Sequence, residues 1–365
     1  MSTFTATDHA HMAEALRLAE RGLFTTAPNP RVGCVIAHGG EVVGRGFHER
    51  AGGPHAEVHA LREADDRARG ATVYVTLEPC AHHGRTPPCA DALVEAGVAR
   101  VVAAVGDPFH AVDGRGFERL RAAGIEVAQG LLEGPAREIN RGFLLRVAQG
   151  RPWVRVKLAM SLDGRTALSD GRSQWITGEA ARADNMRWRA RSCALLTGIG
   201  TVLADDPRLT VRLPEGIDFV PPLRVVLDSR LRIPDSARVL DAVAPTLVAC
   251  APESVAGSHG VEASRVLSVP HHATGLGLAV LLAELAGRGV NEVQVEAGPT
   301  LAGAFVHAGL VDEVLLYVNP SFLGDDARPL LALPPLRALR DRARWSMHDL
   351  RPVGDDLRLL LRPVA

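Results

Sequence analysis

ATVYVTLEPCAHHGRTPPCADAL, residues 71–93, decides how the first third of the chain is built. The β-branched and aromatic run TVYV reads as a strand, and the Gly- and Pro-rich AHHGRTPP cannot continue it. CADAL then opens a helix. The stretch predicts a strand–loop–helix connection with Cys80 just past the strand and Cys89 at the helix start. Upstream, GPHAEVHALREA (53–64) predicts a helix running to about Ala68, with His55 and Glu57 in its first turn. Working outward, Met12, Leu16, Ala19 and Leu23 recur at helical spacing, and 32–36 and 42–47 read as strands joined by the turn HGGE. RVVAAV (100–105) and FERLRAAGIEVA (117–128) add a strand and a helix–strand pair. Helices interleaved with buried-type strands predict a layered α/β unit.

Two histidine-proximal positions and two cysteines in this order carry a specific chemistry. His55, Cys80 and Cys89 supply three ligands for zinc, and three protein ligands leave a fourth position open for water, as in a catalytic rather than a structural site. Zinc lowers the pKa of such a water from about 15.7 towards 7. Glu57 then reads as the base that takes the water's proton and returns it to a departing amine. The order H-x-E followed by P-C is that of zinc-dependent deaminases, whose usual second spacing is C-x-x-C. Here nine positions separate Cys80 from Cys89, so AHHGRTPP must loop out, and His82 and His83 within it are competing ligands. Cys34, Cys193 and Cys250 lie in apolar, strand-like surroundings and read as small core residues.

The chain has 365 residues, enough for two domains, and 47% hydrophobic against 23% charged residues, the balance of an ordinary globular protein. Its 41 Lys and Arg are offset by 42 Asp and Glu, without a basic run, which argues against a nucleic-acid partner. Five scattered cysteines do not form a disulfide framework, the start lacks the charged and apolar regions of a secretory signal, and no apolar segment is long enough to span a bilayer. These features point to a cytoplasmic protein without membrane contact.

A helix expected over about 135–147 leads to Gly150-Arg151-Pro152, where Pro152 disfavours helix at the preceding residue. This marks a boundary between domains 1–150 and 151–365. The second domain also reads as α/β, with strands near 153–160, 194–197, 223–228, 246–250 and 292–296 and helices near 179–192 and 277–287. EVLLYVNP (313–320) and DLRLLL (356–361) close it as an antiparallel edge. GIGTVLADDP (198–207) has Leu203 where a Rossmann fingerprint needs Gly or Ala. In VEAGPTLAGA (295–304) a strand ends at Glu296 and a helix opens at Gly298, an arrangement that can hold a phosphate on its first N–H groups.

Taken together, APNPRVGCVI, GPHAEVHAL, VTLEPCAHHGRTPPC, KLAMSLDGRTA, SQWITG, TVLADDPRLTVR and VEAGPTLAGA resemble the bifunctional riboflavin-biosynthesis deaminase/reductase family over nearly the whole chain. The long loop between the cysteines, a departure from the general signature, is similar to that family's own version. The resemblance implies a cytidine-deaminase-like α/β/α domain followed by a dihydrofolate-reductase-like α/β domain. It implies zinc-dependent removal of the 2-amino group from a 2,5-diamino-6-ribosylamino-pyrimidinone 5′-phosphate, then reduction of the ribosyl group to ribityl by NADPH. Asn29 and His48 would line the deaminase substrate pocket. Cofactor contacts would come from Ala159, Trp175, Thr201, Asp205 and Ser229, and from Gly298, Pro299, Thr300, Leu301, Ala302, Gly303 and Ala304. Substrate contacts would come from Ser173, Arg189, Leu209, Arg212 and Glu296, with the two arginines suited to clamp a phosphate. A homodimer or larger homo-oligomer is also implied.

Two other readings remain at this stage. The second domain could be only a binding or oligomerisation module, although KLAMSLDGRTA, SQWITG and VEAGPTLAG all persist. The first could be a deaminase of RNA or DNA, which shares the zinc chemistry but needs a backbone-binding surface that the charge balance does not supply.

Overall fold

The computed structural model describes residues 4–81, 88–109, 112–255, 261–272 and 275–364. The chain folds into two compact units, Met1–Gly150 and Arg151–Ala365.

The first unit holds a five-stranded sheet of β1 (Gly33–His38), β2 (Glu41–Phe47), β3 (Thr72–Val75), β4 (Arg100–Ala103) and β5 (Glu126–Gln129), in the order β2-β1-β3-β4-β5. β1 runs antiparallel to both neighbours, whereas β3, β4 and β5 are parallel. Its helices are α1 (Ala6–Arg21), α2 (Ala56–Ala64), α3 (Cys89–Ala96), α4 (Arg115–Ala122), α5 (Glu133–Ile139) and α6 (Arg141–Gln149). Thr5 and Asp8 form a capping box that starts α1, and the buried Asp8 carboxylate also accepts from Tyr74 Oη at 2.8 Å and Arg100 Nη1 at 2.7 Å. These bonds tie α1 to β3 and β4.

Close approach positions α2. Ala56, Ala60 and Ala64 present a fully buried small-residue stripe to β2. Opposite it, a Cβ at Gly44 would lie 2.2 Å from the Ala60 carbonyl oxygen, and one at Gly46 2.1 Å from that of Ala56. Only glycine admits the helix at this distance. The expected single helix over 135–147 is instead two, broken at Asn140. The Asn140 amide accepts from Arg31 N at 2.7 Å and donates to Arg31 O at 2.8 Å, pairing like a strand with a segment 109 positions away. A helix running through Asn140 would compete with that pairing.

The second unit is built on a nine-stranded sheet. Its strands are β6 (Trp153–Ser161), β7 (Ala194–Gly198), β8 (Leu223–Leu227), β9 (Thr246–Cys250), β10 (Val266–Ser268), β11 (Glu292–Val295), β12 (Glu313–Asn319), β13 (Trp345–Val353) and β14 (Asp356–Pro363). They are ordered β10-β9-β8-β7-β11-β6-β12-β14-β13. All pairings up to β12 are parallel, and β14 then joins β12 antiparallel, as the closing strands of the sequence suggest. β13 extends the edge antiparallel to β14. Its sequence, WSMHDLRPV, carried no strand expectation because both faces are largely exposed and no apolar alternation results. The main helices are α7 (Glu179–Arg191), α8 (Ile199–Asp205), α9 (Leu278–Gly287) and α10 (Pro299–His307). β11 lies between β6 and β7, so the chain leaves β6 in one direction and returns to fill the gap; such switch points open a crevice at the carboxyl ends of strands.

Candidate active sites

In the first unit, His55 is the N-cap of α2 with extended backbone, and its side chain makes no capping bond. The ring is thereby free to point at the cysteines: Nδ1 lies 3.2 Å from Cys89 Sγ and 3.6 Å from Cys80 Sγ. Cys80 sits over the start of α3, its sulfur accepting from Cys89 N at 3.3 Å and its carbonyl from Ala90 N at 3.1 Å. The three donor atoms all lie within 4.8 Å of one another. A tetrahedral zinc with bonds of about 2.0–2.3 Å needs ligand atoms roughly 3.3–3.8 Å apart, so the donor set fits the metal in kind and in spacing. The neighbouring Cys89 thiol, His55 and the helix N–H hold Cys80 well below the ordinary thiol range, while Cys89 is pushed up by the Cys80 charge and by burial. One sulfur is thus predisposed to thiolate, the form a metal binds. His82 and His83 lie outside the described residues.

Glu57, in the first turn of α2, is buried, and that burial pushes its carboxyl up to about 7, with the Cys80 charge adding to the rise. A carboxyl poised there can both take and give a proton near neutrality. Asn29 and His48 meet beside this cluster. His48 Nδ1 donates to the Pro54 carbonyl at 3.0 Å, so its Nε2 accepts from Asn29 Nδ2, also at 3.0 Å. The His48 ring stands edge-on to that of His55 at 5.4 Å, and burial lowers its pKa. With both ring nitrogens engaged, His48 orients the Asn29 amide. The sequence reading overlooked Asp107, a buried carboxyl after β4 that burial pushes up to about 6, with the Glu78 and Cys80 charges adding to the rise. Its signal was an acidic residue two positions after the apolar strand RVVAAV.

The second unit contains a cavity of about 1780 Å³ at the carboxyl ends of β6, β7, β8 and β11. Pockets for a single small ligand span roughly 300–1,000 Å³, so this one has room for a dinucleotide and a second molecule. Ala159, Trp175, Thr201, Asp205 and Ser229 line it, as do Ser173, Leu209 and Arg212. Gly298, the N-cap of α10, borders it with Pro299, Thr300, Leu301 and Ala304. Pro299 has no N–H, so Thr300 and Leu301 are the first-turn donors available to an anion. Nothing lies within 4 Å of a Cβ built at Gly298, so the helix start is open. Trp175 is 69% exposed at the rim, with the Arg182 guanidinium 4.7 Å from its ring.

Two of the expected cofactor contacts lie apart from the others. Ala302 and Gly303 are buried and do not border the cavity. A Cβ at Gly303 would lie 2.3 Å from the Ala332 carbonyl oxygen, so this glycine serves packing. The reason is helical periodicity: residues four and five past the cap turn toward the protein, and Ala304 returns to the cavity side.

Arg189 and Glu296 pair with one another at the cavity. Arg189 Nε and Nη2 donate to the two Glu296 carboxylate oxygens at 2.7 and 2.8 Å, and Nη1 donates to the Thr210 carbonyl at 2.8 Å. The guanidinium thus spends three of its five N–H groups on positioning Glu296 and a neighbouring loop. Burial alone would push the Glu296 carboxyl up, but Arg189, Lys157 and Gln294 hold it at about 2. Lys157 was not singled out from the sequence; it borders the cavity, and burial lowers its pKa. Its signal was a lysine, two positions after Arg155, in the strand-like WVRVKLAMS. Cys34 and Cys250 are fully buried core residues, and Cys193 packs at the core margin.

Comparison with known proteins matches both units. Residues 5–105 match the cytidine and deoxycytidylate deaminase zinc-binding region, and 152–359 match the RibD C-terminal domain. The riboflavin biosynthesis protein RibD of Escherichia coli is 50% identical, covering 97% of this chain and 99% of its own length. That of Bacillus amyloliquefaciens is 41% identical, over 97% and 95%. Among solved structures, Acinetobacter baumannii RibD superposes with a TM-score of 0.92 at 45% identity, covering 98% of this chain and 99% of that one. The diaminohydroxyphosphoribosylaminopyrimidine deaminase/5-amino-6-(5-phosphoribosylamino)uracil reductase of Thermotoga maritima gives 0.87 at 32% identity, with the same coverage. Matched by family models in both units and by RibD relatives over nearly its whole length, this chain belongs to the bifunctional deaminase/reductase family of riboflavin biosynthesis.

Proposed function

We propose that His55, Cys80 and Cys89 hold the zinc ion of the deaminase and that Glu57 moves its protons. The carrying observation is the convergence of one imidazole nitrogen and two sulfurs within 4.8 Å, with the buried Glu57 carboxyl beside them. Zinc, when bound, supplies the Lewis acidity that makes water a nucleophile near neutral pH. The Glu57 carboxylate takes a proton from the attacking water and delivers it to the 2-amino group as that group leaves as ammonia. Asn29, aligned by His48, hydrogen-bonds the pyrimidine edge and presents its amino-bearing carbon. The substrate is a phosphorylated pyrimidine precursor of riboflavin, and we assign it as 2,5-diamino-6-(5-phosphoribosylamino)pyrimidin-4-one.

The second unit reduces the deaminated product. NADPH, when bound, supplies the hydride that opens the ribosyl group to ribityl. The N–H groups of Thr300 and Leu301 would hold its pyrophosphate, and Trp175, Thr201, Asp205 and Ser229 would contact the rest of it. Lys157 and Glu296 place a donor and an acceptor side by side at one wall, suited to the C=O and N–H edge of a pyrimidine; Arg189 keeps Glu296 ionised there. Arg212, exposed at the same cavity, offers a guanidinium for the substrate phosphate.

We also read the chain as cytoplasmic and self-associating. Its five cysteines are free thiols, and no helix among the described residues is long and apolar enough to cross a membrane. Self-association is supported by β13, a nine-residue edge strand with exposed Met347 and Leu350, the kind of edge that another chain covers. One experiment tests the catalytic reading: supply the diamino substrate with and without NADPH and identify products by mass. Deaminated product alone without NADPH, and the ribityl compound with it, is expected; reduction without prior deamination would refute the order.

A further inference from the structure

Glu78 takes no part in the chemistry above, yet it is among the most completely bonded carboxylates of the first unit. It follows β3 and precedes Cys80 by two residues, and it is only 4% exposed. Among the described residues it meets no cation. Four backbone N–H groups satisfy it instead: Oε2 accepts from Asp107 and Gly114, each at 3.2 Å, and Oε1 from Gly116 at 3.0 Å and Phe117 at 3.4 Å. Gly116 and Phe117 stand in the first turn of α4, whose N-cap, Gly114, has no side chain with which to cap itself. Glu78 thus caps α4 from 36 positions upstream, placing an anion where the helix dipole favours one.

The same contact is tight in the other direction. A Cβ at Gly116 would lie 2.0 Å from the Pro79 carbonyl oxygen, so the start of α4 rests directly on the peptide joining Glu78 to Cys80. Glu78 N also donates to the Val105 carbonyl at 2.9 Å. The segment carrying Cys80 is therefore held from behind by the exit of β4 and the start of α4, while in front Cys80 lies on the start of α3.

We propose that Glu78 is a positioning residue for the metal: by clamping residues 78–80 to α4 and the β4 exit, it sets the place of Cys80 Sγ and hence the zinc-retention rate. This rests on the reading of His55, Cys80 and Cys89 as zinc ligands. Groups that orient metal ligands from behind typically change metal affinity by about 10–100-fold when removed. Glu78→Gln keeps the shape but turns an NH₂ toward two of the four N–H groups, orphaning them. Glu78→Asp keeps the charge and is one methylene too short to reach both pairs.

The test is chelator-triggered zinc release from the full-length, zinc-loaded protein at a temperature well below unfolding. Release is expected to be about 10–100-fold faster in Glu78→Gln, with Glu78→Asp between it and the unsubstituted protein. Met12→Ala, a cavity in the core against α1, supplies a destabilised control whose zinc release should stay within about twofold. The proposal is overturned if Glu78→Gln releases zinc at the unsubstituted rate, if Met12→Ala accelerates release equally, or if neither Glu78 variant folds. Failure of the unsubstituted protein to hold one zinc per chain would instead refute the ligand assignment.

Discussion

Gly46→Ala offers a direct test of how packing on β2 positions the deaminase site. The added Cβ would lie 2.1 Å from the Ala56 carbonyl oxygen and 2.6 Å from Ala60 N, backbone atoms with no rotamer to yield. Relief to an ordinary van der Waals approach of 3.4 Å moves the first turn of α2 by about 1.3 Å relative to β2. That turn carries His55 and Glu57, whereas Cys80 and Cys89 belong to other elements. Overpacking of this kind costs roughly 1–3 kcal/mol. A misplacement of about 1 Å among catalytic groups costs on the order of 10²-fold in rate. Deaminase turnover per folded chain should fall by about two orders of magnitude, with zinc held more weakly. Reduction of the purified deaminated intermediate by NADPH, a property of the other unit, should be unchanged. The assay is product identification by mass with each substrate separately, beside zinc content by elemental analysis. Normal deamination per zinc would show that α2 reaches its position without this contact, and the argument from close approach would be wrong.

Glu57→Gln should lower deamination by about 10²–10⁴-fold while zinc content and NADPH-dependent reduction persist; normal deamination by this variant would remove Glu57 from proton transfer. Cys80→Ala and Cys89→Ala should each lose stoichiometric zinc, and full retention would show that other residues ligate. Folding lowers the Glu296 pKa from 4.5 to about 2, so its stabilising contribution is complete above pH 4.5 and is lost as pH falls towards 2. All four tryptophans (Trp153, Trp175, Trp188 and Trp345) lie in the second unit, so their fluorescence follows its acid unfolding alone. Arg189→Met should destabilise that unit by roughly 3–5 kcal/mol at neutral pH by stranding Glu296, and should flatten its pH dependence between 5 and 3. An unchanged acid transition would refute the pairing.

Much of the first unit was readable because its signals are local. TVYV and CADAL carry their own strand and helix signals, and His55, Glu57, Cys80 and Cys89 in that order offer donor types for a metal and a carboxyl. Asn29 and His48 came only from resemblance, since nothing local says that residues 19 positions apart share a hydrogen bond. The break at Asn140 was unreadable because the cause, Arg31, is more than a hundred residues away. β13 was missed because an edge strand exposed on both faces needs no apolar alternation.

By itself the sequence determined the chemistry available: the donor types for zinc, a carboxyl to move protons, and a strand-to-helix turn at Gly298 able to receive a phosphate. It also determined the two α/β patterns, through periodicities that each segment carries alone. Tertiary structure decided which groups act on which. It paired Arg189 with Glu296, kept Ala302 and Gly303 off the cavity lining, placed Lys157 on it, and set Glu78 behind Cys80. Each of these depends on distances between segments far apart in the chain, which close approach and burial fix only once the sheets have formed.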